Sequence, residues 1–285
     1  MLRKSLELGE LYKELRIARG LKLKDISKKN LSISQLSKFE NGQTMLSADK
    51  LLIAIEGINM SFSEFGYAMN QYKESKFFKT GNKLVQLQAQ KDLSGLKKIL
   101  TDYEDTESSK VYNRLNKLVV KVAIQGLDPD YVITDDEIEF LTTYLYSIEE
   151  WTEYELYIFG NTMTILSDND LIFLGEAFVE RDKIYCTLPS HKKNAEIVHL
   201  NLILILIERR KFHHVNYFID NLEQLLVYQD MFSIIYLNFL KKLMAYLKGE
   251  LANLTSIKEY INMVEKLGNP TLATFLEIIL EQIVI

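Results

Sequence analysis

Apolar residues recur along most of the chain at spacings of three and four, the period of a helix that buries one face. No stretch sustains the alternation of a half-buried strand. At the start, Leu8, Leu11, Leu15 and Ala18 predict an amphipathic helix that ends at Gly20. Leu23 to Lys29 predicts a short second helix, with Ser27 a small residue where another helix can cross closely. Ile33, Leu36 and Phe39 predict one apolar stripe on a third, with Ser32, Ser34, Gln35 and Lys38 outward and Gly42 ending it. Ser47 can cap a fourth helix with the apolar face Leu51, Leu52 and Ile55, and Ser61 with Glu64 forms a capping box that opens a fifth.

From Asn82 onward the same period predicts helices over 82–100, 107–125, 134–148, 151–166, 168–186, 191–209, 212–228, 230–248, 253–267 and 270–284. Thr134 with Glu137, and Ser256 with Glu259, have capping-box spacing. A weak repeat runs through this part. Asn161, Asn201 and Asn238 each centre an apolar helix-like run, 40 and 37 residues apart, a period found in stacked helix pairs. The expectation is an all-α chain: a five-helix helix-turn-helix domain over 1–66, a helical linker over 67–81, and a right-handed tetratricopeptide- or HEAT-like α-solenoid over 82–285. No Pro/Gly-rich segment follows Phe65, and 66–78 is helix-permissive, so a helix is expected to couple the two parts.

Composition supports that architecture. The 285 residues are 47% hydrophobic with only 3 Pro and 12 Gly, which suits helices joined by short loops. The single Cys186, beside Tyr185, excludes an intrachain disulfide and suits packing in a reducing cytosol. Glu7 and Glu10 follow the first basic residues where a signal peptide would be apolar, and the greasy run 202–207 is too short for a bilayer. A cytoplasmic protein without membrane contact is expected. The net charge is -5, yet residues 1–66 carry 11 Lys/Arg against 8 Asp/Glu, so a basic module precedes an acidic body. That is a modest footprint for one DNA-binding domain, and two copies on one site would double it.

Two short helices joined by a tight turn, within a five-helix set, are the helix-turn-helix arrangement. Lys24-Asp25-Ile26-Ser27, then Ser34-Gln35-Leu36-Ser37-Lys38-Phe39-Glu40-Asn41-Gly42, then Ser47-Ala48-Asp49-Lys50-Leu51-Leu52, resemble the phage-repressor-like helix-turn-helix family. More narrowly, Leu31 to Gly42 followed by Ile58-Asn59-Met60-Ser61 is similar to the Rgg/GadR/MutR regulators of Gram-positive bacteria. The segment before the third helix is about one residue shorter than the common repressor pattern. The resemblance implies a transcriptional regulator, a homodimer, with a helical-repeat domain that binds a short signalling peptide.

Candidate residues follow from those two roles. Ser34 and Gln35 can hydrogen-bond base edges of double-stranded DNA, Lys38 a base or phosphate, and Ser32 can cap its helix and touch a phosphate. Arg16 and Arg19 end the first helix near the expected phosphate path, and Asn41 can donate to a phosphate. For a peptide, Asn161, Asn201 and Asn238 offer amides matching the unpaired groups of an extended backbone. Tyr157 and Lys242, one helical turn away, can add a ring and a charge. Enzyme chemistry has no constellation. His213 and His214 are adjacent and point apart on a helix, and His191 and His199 lack a carboxylate at ligand spacing. Asp168-Asn169-Asp170 reads as a helix start rather than a calcium loop. No metal, cofactor or catalytic residue is expected. The competing reading is a protein-interaction scaffold whose repeat groove holds a partner segment without reading DNA.

Overall fold

A computed structural model of the protein describes residues 5–72, 76–103, 110–181 and 187–284. These are helical, and the one departure toward strand is an isolated bridge between Lys28 and Leu31. The chain separates into two compact units, Met1–Lys79 and Thr80–Ile285.

The first unit holds α1 (Ser5–Ala18), α2 (Leu23–Ile26), α3 (Ile33–Glu40), α4 (Ala48–Gly57) and α5 (Phe62–Met69). Its core joins Leu8, Leu11, Tyr12, Ile26, Leu31, Leu36, Phe39, Ile55, Ile58 and Phe65. The inward stripe of α1 differs from expectation. Ala18 is exposed, whereas Tyr12 and Arg16, spaced i, i+4, turn inward. The Tyr12 hydroxyl donates to the Ala54 carbonyl at 3.0 Å. Helix α1 crosses α3 at Gly9, where a Cβ would stand 2.0 Å from the Phe39 carbonyl oxygen. A side chain there would push α3 away.

Three other expectations change. Helix α2 stops at Ile26, and Lys28 and Leu31 exchange backbone hydrogen bonds of 3.0 Å across the turn. Ile33 is 47% exposed, because a residue six positions before Phe39 lies on a different side of a 3.6-residue helix. Leu52 is also exposed, and Ala54 takes its place beside Ile55. The capping box of Ser61 and Glu64 forms as read, with the Ser61 N–H donating to Glu64 at 2.7 Å. Beyond α5, Gln71 and Tyr72 take left-handed φ values of 57° and 56°, so 66–78 is no single helix. Gly42, at φ 68°, ends α3.

The second unit begins within α6 (Lys76–Ala89) and continues with α7 (Leu93–Asp102), α8 (Lys110–Gln125), α9 (Asp135–Ser147), α10 (Glu153–Thr162) and α11 (Asp168–Arg181). It ends with α12 (Pro189–Glu208), α13 (Phe212–Leu225), α14 (Met231–Leu247), α15 (Thr255–Lys266) and α16 (Pro270–Val284). The expected helix over 82–100 is two helices. Lys91 has φ 54°, and the Asp92 carboxylate caps α7 by accepting from the Gly95 N–H at 2.8 Å. The Thr134 box forms, whereas α15 starts at Thr255 behind Leu254, with Ser256 inside its first turn. Cys186 lies outside the described residues. Helices α8, α10, α12 and α14 pack in series as one layer, with α7 on α8, α13 on α12 and α15 on α14 as the other. The architecture is an all-α helix-turn-helix unit followed by a stack of helix pairs.

Candidate functional site

Helix α3 is held by its inner face and free on its outer one. Leu36 and Phe39 enter the core, and Glu40 beside them is 3% exposed. A carboxylate so buried requires a partner. Arg16 supplies it: Nε donates to Glu40 Oε1 at 2.6 Å, Nη2 to Oε2 at 2.7 Å, and Nη1 to the Leu21 carbonyl at 2.6 Å. The hydrogen bond to Glu40 holds the Arg16 guanidinium above its ordinary pKa. Arg16 is therefore corrected from a phosphate contact to the pin between α1 and α3. Each of its three nitrogens donates to a partner within the unit.

The outer face carries the remaining expected residues. Ser34 and Lys38 are exposed. Ser32 is the N-cap, its hydroxyl accepting from the Gln35 N–H at 3.2 Å. Gln35 Oε1 accepts in return from the Ser32 N–H at 3.1 Å. The Gln35 oxygen is thus tied to its own helix, and the residue is half-buried. Ile33 stands beside these groups, an outward residue that the apolar spacing had placed inside. Arg19 is exposed and donates to the Leu15 carbonyl at 2.9 Å, and Asn41 is the exposed C-cap.

In the second unit, the asparagines divide between two faces. On α12, Val198 abuts Gly160 of α10, Leu202 abuts Gly175 of α11 as does Phe218 of α13, and Glu196 accepts from the Ser233 hydroxyl of α14 at 2.6 Å. What stays open on α12 is a stripe through Lys193, Ile197, Asn201 and Glu208. Asn161 is exposed on the neighbouring α10, next to the Gly160 contact, and its amide donates to the Tyr157 carbonyl at 2.7 Å. Asn161 and Asn201 therefore belong to adjacent helices of one layer.

Asn238 does not join them. It lines a hollow of about 260 Å³ with Glu223, Leu226 and Tyr228 at the end of α13, and it bonds toward Tyr260 of α15. Lys242 follows it, with Nζ donating to Ser256 Oγ at 3.2 Å and lying 5.7 Å from the Tyr260 ring. Both face the other helix layer, because α14 docks on α12 through Ser233 and turns its 238–242 side toward α15. Tyr157 is corrected as well. It is 7% exposed, a Cβ on Gly81 would come within 3.1 Å of its ring, and burial pushes its hydroxyl pKa up.

A cavity of about 450 Å³ where α12 and α14 begin has no counterpart among the sequence expectations. Its Lys192 reaches Asp230 at 2.5 Å and Glu196 at 3.3 Å, so these charges satisfy one another. Among the described residues no cluster of His, Cys, Asp or Glu could hold a metal ion. No helix there is long and apolar enough to cross a membrane.

Comparison with known proteins agrees with this layout. The family model of the C-terminal domain of the HTH-type transcriptional regulator Rgg matches residues 96–278, and a helix-turn-helix model matches residues 13–65. Among solved structures, the SHP pheromone receptor Rgg2 of Streptococcus dysgalactiae is 22% identical, covering 94% of this chain and 97% of its own, with a TM-score of 0.76. A putative transcriptional regulator from Listeria monocytogenes is 20% identical over 98% of this chain and 97% of its own, with a TM-score of 0.81. The PrgX/iCF10 complex gives 15% identity, 98% and 96% coverage and a TM-score of 0.70. At such identities these structures speak to the fold.

Proposed function

The chain belongs to the Rgg family of helix-turn-helix transcriptional regulators, and on that premise we propose that it reads a DNA operator as a cytoplasmic homodimer under the control of a short peptide. The family is one of regulators rather than enzymes. The observation that carries the DNA reading is the outer face of α3, where Ser34 and Lys38 stand exposed beside a half-buried Gln35 on a helix held by its inner face. Ser32, Arg19 and Asn41 flank that face and serve phosphates. Ile33 adds an apolar group suited to a thymine methyl. The modest positive charge of residues 1–66 favours two copies on one site.

The peptide occupies the open side of the even-numbered layer, where Asn161 and Asn201 offer amides to its backbone. Similar folds include a pheromone receptor and a PrgX/iCF10 complex, which supports this assignment. The DNA reading is tested by enriching a duplex from a random pool with the full chain and titrating it against salt. Lys38→Ala should retain the fold and lower the logarithmic salt slope by about one per protomer. An unchanged slope and affinity would remove Lys38 from the interface.

A further inference from the structure

The open stripe of α12 is amphiphilic lengthwise. Lys193 lies at its start, Glu208 at its end, and Ile197, Asn201, Leu204 and Ile205 between them. Glu208 carries charge in a position that the helix itself disfavours. A helix N-terminus bears partial positive charge and a C-terminus partial negative charge. Yet α12 has no acidic residue in its first turn and no basic one in its last, and its final residue is a glutamate.

Lys193 and Glu208 make no ion pair or hydrogen bond among the described residues. Two of the three cations that follow Glu208 in sequence are directed elsewhere. Arg209 donates to the Thr164 and Leu166 carbonyls at 2.8 Å, and Lys211 reaches Asp168 at 2.5 Å. Burial pushes the Glu208 carboxyl above its ordinary value, with Arg209 opposing, even though the side chain remains open to solvent. Its charge also reaches the hydroxyl of Tyr236 on α14, which is 2% exposed and has no hydrogen-bond partner among the described residues.

We infer that this stripe binds a short peptide by both of its free termini, the ammonium at Glu208 and the carboxylate at Lys193. The inference deepens the proposed peptide site and rests on it. The two charged residues are fifteen positions apart, about 22 Å along a helix, which an extended chain spans in about seven residues. The peptide therefore runs antiparallel to α12. Asn201 meets its backbone midway, and Ile197, Leu204 and Ile205 give its middle residues an apolar bed. The ligand class is a free-ended, apolar-centred peptide of about seven residues; blocked or much longer chains cannot satisfy both ends.

The test uses the full chain and a synthetic pool of unblocked, apolar-centred heptapeptides, with retained members identified by mass spectrometry. The best retained peptide is then remade with an acetylated N-terminus or an amidated C-terminus. Acetylation should weaken binding to the wild type about tenfold or more, the worth of a charge-assisted hydrogen bond. Glu208→Gln should lose the same factor and no longer distinguish free from acetylated peptide. Lys193→Gln should behave in that way toward amidation. Thermal midpoints guard against misfolding, and Glu208→Gln should not fall below wild type because it relieves an unfavourable helix-end charge. Equal binding of doubly blocked and free peptides would overturn the inference while leaving a peptide site standing. Exchanged sensitivities of the two variants would overturn the direction. A wild-type protein that retains no peptide would bring down the peptide reading itself, and this inference with it.

Discussion

At the scale of single residues, the helix-turn-helix unit turns on which polar groups are held inside and which are left out. Arg16 and Glu40 form a bidentate pair whose members are 8% and 3% exposed. Removing one member strands the other in the core. Arg16→Ala should therefore cost about 3–5 kcal/mol, read by urea denaturation, with DNA binding lost through unfolding rather than through a missing contact. Ile33 is the opposite case, apolar and outward. If it touches a thymine methyl, replacing one thymine of the enriched duplex by deoxyuracil should weaken wild-type binding about fourfold, the worth of one buried methyl group, and leave Ile33→Ala indifferent. Identical responses of both proteins to every replacement would exclude that contact. The sequence shows these residue types but not their partners. The Arg16–Glu40 pair spans 24 positions, and only the i, i+4 spacing of Tyr12 and Arg16 hints that both turn inward.

At the scale of elements, local signals were legible and crossings were not. The caps at Ser32, Ser61 and Thr134 form as read because each needs only residues three apart. The split at Lys91 and Asp92 was hidden, since a left-handed lysine carries no composition signal. Nor does any pattern reveal that Gly9 admits the Phe39 carbonyl. The α9 cap yields a pH prediction. Burial alone would raise the Glu137 carboxyl, but hydrogen bonds from Lys121 and from the Thr134 N–H hold it below its ordinary 4.5. A depressed folded pKa contributes stability that is present above the unfolded value and lost as pH falls through the folded one. Glu137→Gln should thus be about 0.5–1 kcal/mol less stable than wild type near neutral pH. The gap should close in acid, as denaturation at both pH values would show; a constant gap would mean packing rather than charge.

At the scale of the whole molecule, the all-α class and the helix-turn-helix were readable from periodicity, and the family from the run Leu31 to Gly42. The body was readable as stacked helices but not as faces. Three asparagines at a near-constant period suggested one ladder, yet Asn238 turns toward α13 and α15 while Asn161 and Asn201 stay on the open side. Periodicity along the chain cannot tell which side of a helix its neighbours cover. Tying the two units into a regulator requires that peptide and DNA change one another's affinity, since such coupling is reciprocal. The most direct measurement is the affinity of the full chain for its enriched duplex with and without saturating retained peptide, in wild type and in Asn201→Ala. The account predicts a change of about fivefold or more in wild type, of the size allosteric couplings usually take, and its loss in the variant at the same peptide concentration. Wild-type DNA affinity that is indifferent to bound peptide would contradict it.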